Sequence, residues 1–116
     1  MNGLPVILAQ RADATRSELQ LGIEADNPWF EGHFPGQPIL PGVVQIGWAV
    51  HFAHTLHSLG PEVVNLEQIK FKRPIFPGAR LTLRLTPSAD RQKLRYEYCD
   101  AETSYSSGLL NYGTAA

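Results

Sequence analysis

Residues 29–59 read WFEGHFPGQPILPGVVQIGWAVHFAHTLHSL. Pro35, Pro38 and Pro41, interleaved with Gly32, Gly36 and Gly42, forbid a regular helix or a central strand across the first part. Pro41 suits the start of a helix, because the N–H it lacks would have found no intrahelical partner. No proline interrupts Gly42 to Leu59, and Gly60–Pro61 supplies a stop. The spacing predicts a helix over 42–59, roughly 27 Å long. Val43, Val44, Ile46, Trp48, Ala49, Val50, Phe52, Ala53, Leu56 and Leu59 occupy more than one stripe, so the helix is expected to be buried on most sides. The rest of the chain must then wrap it.

The flanking sequence supplies strands. Residues 4–10 and 15–23 read as two, the second with Leu19, Leu21 and Ile23 on one side. Asp26–Asn27–Pro28 reads as a turn, after which Trp29 and Phe30 anchor the loop. Residues 63–75 predict a long strand with Leu66, Ile69, Phe71 and Ile75 as its apolar positions. The alternation slips between Leu66 and Ile69, as a bulge would make it. Residues 80–86 alternate cleanly through Leu81, Leu83 and Leu85, and 93–99 through Leu94, Tyr96 and Tyr98. A last strand covers 105–113, where Gly108 is expected to admit the helix closely. The sum is an α+β fold, one long central helix wrapped by a curved antiparallel sheet of five or six strands. A long strand edge would remain, and homodimerisation through it would cover it.

Bulk properties narrow the function. The 116 residues suit a single domain over 1–116. A formal net charge of −1 gives no basic excess for nucleic acid. No apolar run is long enough for a membrane span, and the N-terminus lacks the pattern of a signal peptide. A single cysteine, Cys99, excludes an internal disulfide and fits a reducing, cytoplasmic compartment.

Chemistry concentrates where the loop meets the helix. His33 lies between Gly32 and Phe34–Pro35, and an imidazole is the natural general base near neutral pH. The free amides of Gly42 and Val43 would favour a developing oxyanion, and Gly42 lets a carbonyl come close. The plainer alternatives are a backbone-bonded loop histidine and an ordinary helix start. His51, His54 and His57, with His33, invite a metal reading. Steps of three drift by about 60° each, and neither HExxH nor a cysteine pair supports it. Lys70, Lys72, Arg73, Arg80 and Arg84 fit either an acidic carrier or a solvated sheet face.

The segment Gly32-His33-Phe34-Pro35-Gly36-x-Pro38-Ile39-Leu40-Pro41-Gly42-Val43 resembles the hotdog-fold 3-hydroxyacyl-[acyl-carrier-protein] dehydratases of fatty-acid synthesis. Phe71–Gly78 and Tyr105–Gly108 resemble later parts of the same family, so the likeness covers most of 15–113. The wording Gln45–Ala49 is closer to the branch found in aryl-polyene pigment clusters. The resemblance implies a hotdog fold and a dimer whose sheets join edge to edge, a homodimer or a heteromer with a homologue. It implies acyl carrier protein or coenzyme A thioesters as substrates and no cofactor. His33 matches the catalytic base and Gly42 the carbonyl-polarising amide. Phe34, Pro35, Pro41 and Val43 would shape the acyl tunnel. The family places a carboxylate fourteen residues after the histidine, on the partner subunit's helix; here that position is Gly47. His51, one turn on, offers a substitute donor; Glu31 and Glu67 are other carboxylates near in sequence. A thioesterase of the same fold and a non-catalytic acyl-thioester-binding subunit are the alternatives.

Overall fold

The computed structural model describes residues 3–31, 38–60 and 62–113. It is an α+β hotdog fold. Strands β1 (Val6–Ala12), β2 (Ser17–Gly22), β3 (Val63–Phe71), β4 (Arg80–Pro87), β5 (Lys93–Cys99) and β6 (Ser104–Tyr112) form one antiparallel sheet in the order β1-β2-β4-β5-β6-β3. A short 3-10 turn, Pro28–Phe30, and the helix α1, Gly42–Leu56, lie between β2 and β3. Asn27 caps the turn with its side chain on the Trp29 N–H, and Phe30 is buried, so the sequence Asn-Pro-Trp-Phe anchors this corner.

Alternation decides which face of each strand meets the helix. Leu19 and Leu21 of β2, Leu81, Leu83 and Leu85 of β4, and Leu94, Tyr96 and Tyr98 of β5 are all buried. Their neighbours Glu18, Arg84 and Glu97 face the other way. Arg84 bridges the two carboxylates at 3.0 Å and 3.2 Å, and Glu18 also takes a hydrogen bond from Arg11. Such partly exposed pairs hold strands in register more than they add stability. Helix positions 45, 48, 49, 52 and 53 complete the core from the other side.

Four expectations need correction. The helix ends at Leu56, not Leu59. His57 turns into an extended backbone, and its Nε2 lies 2.9 Å from the hydroxyl of buried Ser17, which draws it to β2. The helix is not buried all round. Val43 is 76% exposed, and Ile46, Gly47 and Val50 are half-buried, because one sheet can cover only one side of a helix. The third strand stops at Phe71. Leu66 and Phe71 are exposed although their partners Leu110 and Ser106 face the core, because β3 is the sheet's edge. Finally, Gly108 accommodates strand side chains rather than the helix. A Cβ there would lie 2.4 Å from Ile69 Cδ1 and 2.6 Å from Tyr96 Cε2. The slip in β3 is a register shift between Glu67 and Lys70, with Gln68 at a positive φ of 54°.

Two predictions follow from this packing. Gly108→Ala overpacks a wall where Tyr96 is fully buried against Tyr98. A loss of about 1–3 kcal/mol in chemical denaturation is expected, and an unchanged midpoint would contradict the packing. Burial, and then the charge of Arg91, lower the pKa of His57 below its ordinary value. The unfolded chain therefore takes up that proton first, so stability falls as pH drops through the ordinary histidine range of about 6.5 and below. Urea midpoints at pH 7.5 and pH 5.5 should differ more for the native chain than for His57→Gln.

Candidate functional site at the start of the central helix

The start of α1 is held from several directions. The Leu40 N–H donates to the Ile75 carbonyl at 2.8 Å, and the Leu40 carbonyl accepts from Gln45 Nε2 at 3.2 Å. Leu40 and Pro41 are buried, so the chain enters the helix along a defined line. The N–H groups of Val44 and Gln45 both reach the Pro41 carbonyl, at 3.1 Å and 3.2 Å. That leaves the amides of Gly42 and Val43 without an acceptor among the described residues. Among the described residues no side chain caps this end, and the first turn carries no acidic residue. Helix starts ordinarily find such partners. Two free N–H groups at the positive end of a helix dipole attract developing negative charge.

A cleft of about 400 Å³ opens beside these amides, lined by Ile39, Leu40, Gly42, Gln45 and Phe71. Gly42 lets the Phe71 ring lie close against the helix start: a Cβ there would lie 2.6 Å from Phe71 Cζ and push the exposed ring aside. Lys72 and Arg73 also line the cleft and are exposed. Lys70 and Arg84 instead lie on the sheet's outer face, where Arg84 is already paired.

Of the site residues singled out in the sequence, Gly42 lines this cleft; Pro41 is buried next to it in the chain, and Val43 is exposed. His33, Phe34 and Pro35 lie outside the described residues. Gly47 sits more than one turn on, half-buried on the side of α1 away from the sheet. His51 is about 13 Å along the helix axis from Gly42, with its ring edge-on to Phe52. A single chain therefore does not bring His51 to the helix start. His54 packs on Tyr112, and His57 on Ser17. Among the described residues no three His, Cys, Asp or Glu side chains gather as metal ligands would. Glu67 pairs in register with outward-facing Leu109 and approaches Lys93 at 3.9 Å, so the sheet separates it from the helix. Glu31 is exposed.

The profile of the ApeI-like family, ApeI dehydratase, matches residues 9–109. The chain belongs to the ApeI-like dehydratase family. Among curated proteins, this ApeI-like chain is 32% identical over 92 residues to the 3-hydroxyacyl-[acyl-carrier-protein] dehydratase FabZ of Syntrophobacter fumaroxidans, covering 70% of the chain and 63% of that protein. The chain spans about half to two thirds of the length of the first curated relatives it matches. Among solved structures, the dehydratase heterocomplex ApeI:P from Xenorhabdus doucetiae superposes with a TM-score of 0.84 at 33% identity, over 92% of this chain and 96% of that one. An uncharacterised protein from Erwinia carotovora superposes with a TM-score of 0.78 at 40% identity, over 93% and 94% of the two chains. These matches place the ApeI-like chain in the hotdog-fold family that includes the ApeI and FabZ dehydratases. No described helix is long and apolar enough to cross a membrane.

One site feature was missed at the level of sequence. Gln45 is 3% exposed, and it is the only buried polar residue on α1 among those described. A helical wheel already puts it in the stripe of Trp48, Ala49 and Phe52, where a polar side chain signals a specific partner.

Proposed function

We propose that the protein dehydrates a 3-hydroxyacyl thioester on acyl carrier protein, giving the trans-2-enoyl thioester and water. The thioester carbonyl accepts hydrogen bonds at the Gly42–Val43 amides, which stabilise charge moving onto its oxygen. His33 removes a C2 proton, and the electron pair forms the C2–C3 double bond as the C3 hydroxyl leaves with a proton. Phe34, Pro35, Pro41 and Val43 shape the tunnel wall. The observation that carries this reading is the helix start, uncapped among the described residues, with free amides at Gly42 and Val43, the end of the Gly32–Val43 motif, and a cleft lined by Gly42.

A second subunit completes the site. Exposed Val43 and half-buried Gly47 and Val50 lie on the uncovered side of α1, while Val64, Leu66 and Phe71 are exposed on the edge strand β3. A partner joining β3 to β3 covers both. The protein acts as a dimer of single-domain, cytoplasmic subunits, and Gly47 and His51 of one face His33 of the other. His51 delivers the hydroxyl's proton through a water in place of the absent carboxylate. Lys72 and Arg73, exposed at the cleft, meet an acidic carrier. The wording Gln45–Ala49 and the family match support an aryl-polyene branch.

Gly47 favours one other reading, a non-catalytic acyl-thioester-binding subunit that works beside a competent homologue. The ApeI:P heterocomplex gives that arrangement a precedent in a similar protein. The test is incubation of the purified protein with a 3-hydroxyacyl carrier thioester, scored for enoyl thioester and for free carrier thiol. Enoyl product supports dehydration. Free thiol alone means a thioesterase, and bound but unchanged thioester means a binding subunit.

A further inference from the structure

Gln45 joins three parts of the fold at the point where α1 begins. Its Nε2 donates to the Leu40 carbonyl at 3.2 Å, two residues before Gly42. Its Oε1 accepts from Ser106 Oγ of β6 at 2.6 Å. Its backbone carbonyl accepts from Tyr98 Oη of β5, also at 2.6 Å. Ser106 and Tyr98 are fully buried. Burial pushes the Tyr98 phenol well above its ordinary pKa, which keeps it a donor. An unbonded amide in this place would be costly, and an apolar side chain of the same size would pack without risk. The other buried positions of α1 are apolar: Val44, Trp48, Ala49, Phe52 and Ala53.

Leu40 is clamped from both sides, its N–H by Ile75 and its carbonyl by Gln45. Gln45 also lines the cleft beside Gly42. Strand β6 thus reaches the segment that aims the two free amides through the Gln45 side chain, while β5 holds the Gln45 backbone. We infer that Gln45 is a positioning residue for the dehydration. Its side chain ties the entry segment at Leu40 to β6, and its backbone is held by β5, so that the Gly42 and Val43 amides keep one direction toward the thioester oxygen. This inference rests on the function proposed above. Preorganised donors act only when they point at the place where charge develops, and small misplacements cost large factors in rate.

The test uses Gln45→Leu and Ser106→Ala in the full chain. It reads kcat and KM with a 3-hydroxyacyl carrier thioester, and the amide resonances of Gly42 and Val43 in the unliganded protein. Gln45→Leu should lower kcat by roughly 10- to 100-fold with KM changed little, and should move both resonances. Ser106→Ala should do the same to a smaller degree, and the double variant should be no worse than Gln45→Leu alone. Folded Gln45→Leu with native kcat and unmoved resonances overturns the inference. Where Gln45→Leu does not fold, Ser106→Ala decides: native kcat and unmoved resonances overturn the inference there too. A native protein without dehydratase activity defeats the proposed function instead. The resonances alone then judge the positioning role, and their failure to move in the variants refutes it.

Discussion

His33→Ala loses dehydration by a factor of at least about 10² to 10⁴ and keeps its fold and unfolding midpoint. The size of the effect follows from what the imidazole does. Thioester C2 protons are weakly acidic, and a base with a pKa near neutrality removes them without being protonated beforehand. The survival of the fold follows from what surrounds the segment 32–37. On one side Phe30 is buried, with the Asn27 cap next to it; on the other Leu40 bonds to Ile75 and Gln45. The hydrogen bonds that hold both anchors are made by residues outside 32–37. The measurement is kcat/KM beside a denaturation curve for the same sample. Native turnover in the variant would remove His33 from the mechanism, whereas lost turnover with lost stability would show a packing role.

Gly47→Glu raises the rate, by up to roughly 10² to 10⁴-fold. A dehydration needs a proton for its leaving hydroxyl, and glycine has none to give. Position 47 is half-buried on the side of α1 that faces away from the sheet. Between two subunits the carboxyl would be largely desolvated. Burial raises its pKa and keeps it protonated, the form the step requires. The same burial carries a stability cost unless a partner accepts its hydrogen bond. Gly47→Gln, equal in size but not acidic, is the control and should bring no gain. Equal rates for the two variants and the native protein would mean that the proton already comes from elsewhere, with His51 the first residue to replace.

The sequence revealed most where a local rule acts alone. Alternating leucines placed β4 within one residue, and the tyrosines set the bounds of β5 as observed. Pro41–Gly42 marked the helix start, because few other residues open a helix so unambiguously. The alternation that slips between Leu66 and Ile69 foretold a register shift, which falls between Glu67 and Lys70. The rest depended on tertiary neighbours. No spacing shows that His57 leaves the helix, since the reason is Ser17, forty residues earlier. The same holds for Leu66 and Phe71, apolar residues of a strand that has no neighbour beyond it. Gln45 was visible as a polar residue in an apolar stripe, but its partners on β5, β6 and the entry segment emerge only on folding. Of the Gly32–Val43 motif, residues 38–43 are described, and geometry there adds two amides that lack a cap among the described residues.

The claim beneath all of this is that an acyl thioester docks its carbonyl on the Gly42 and Val43 amides. Titration of the ¹⁵N-labelled protein with an unreactive acyl-thioester mimic tests it most directly. Both amide protons should shift downfield as the mimic binds, with resonances on the outer face of the sheet unmoved. Saturable binding that leaves Gly42 and Val43 where they were would contradict the account.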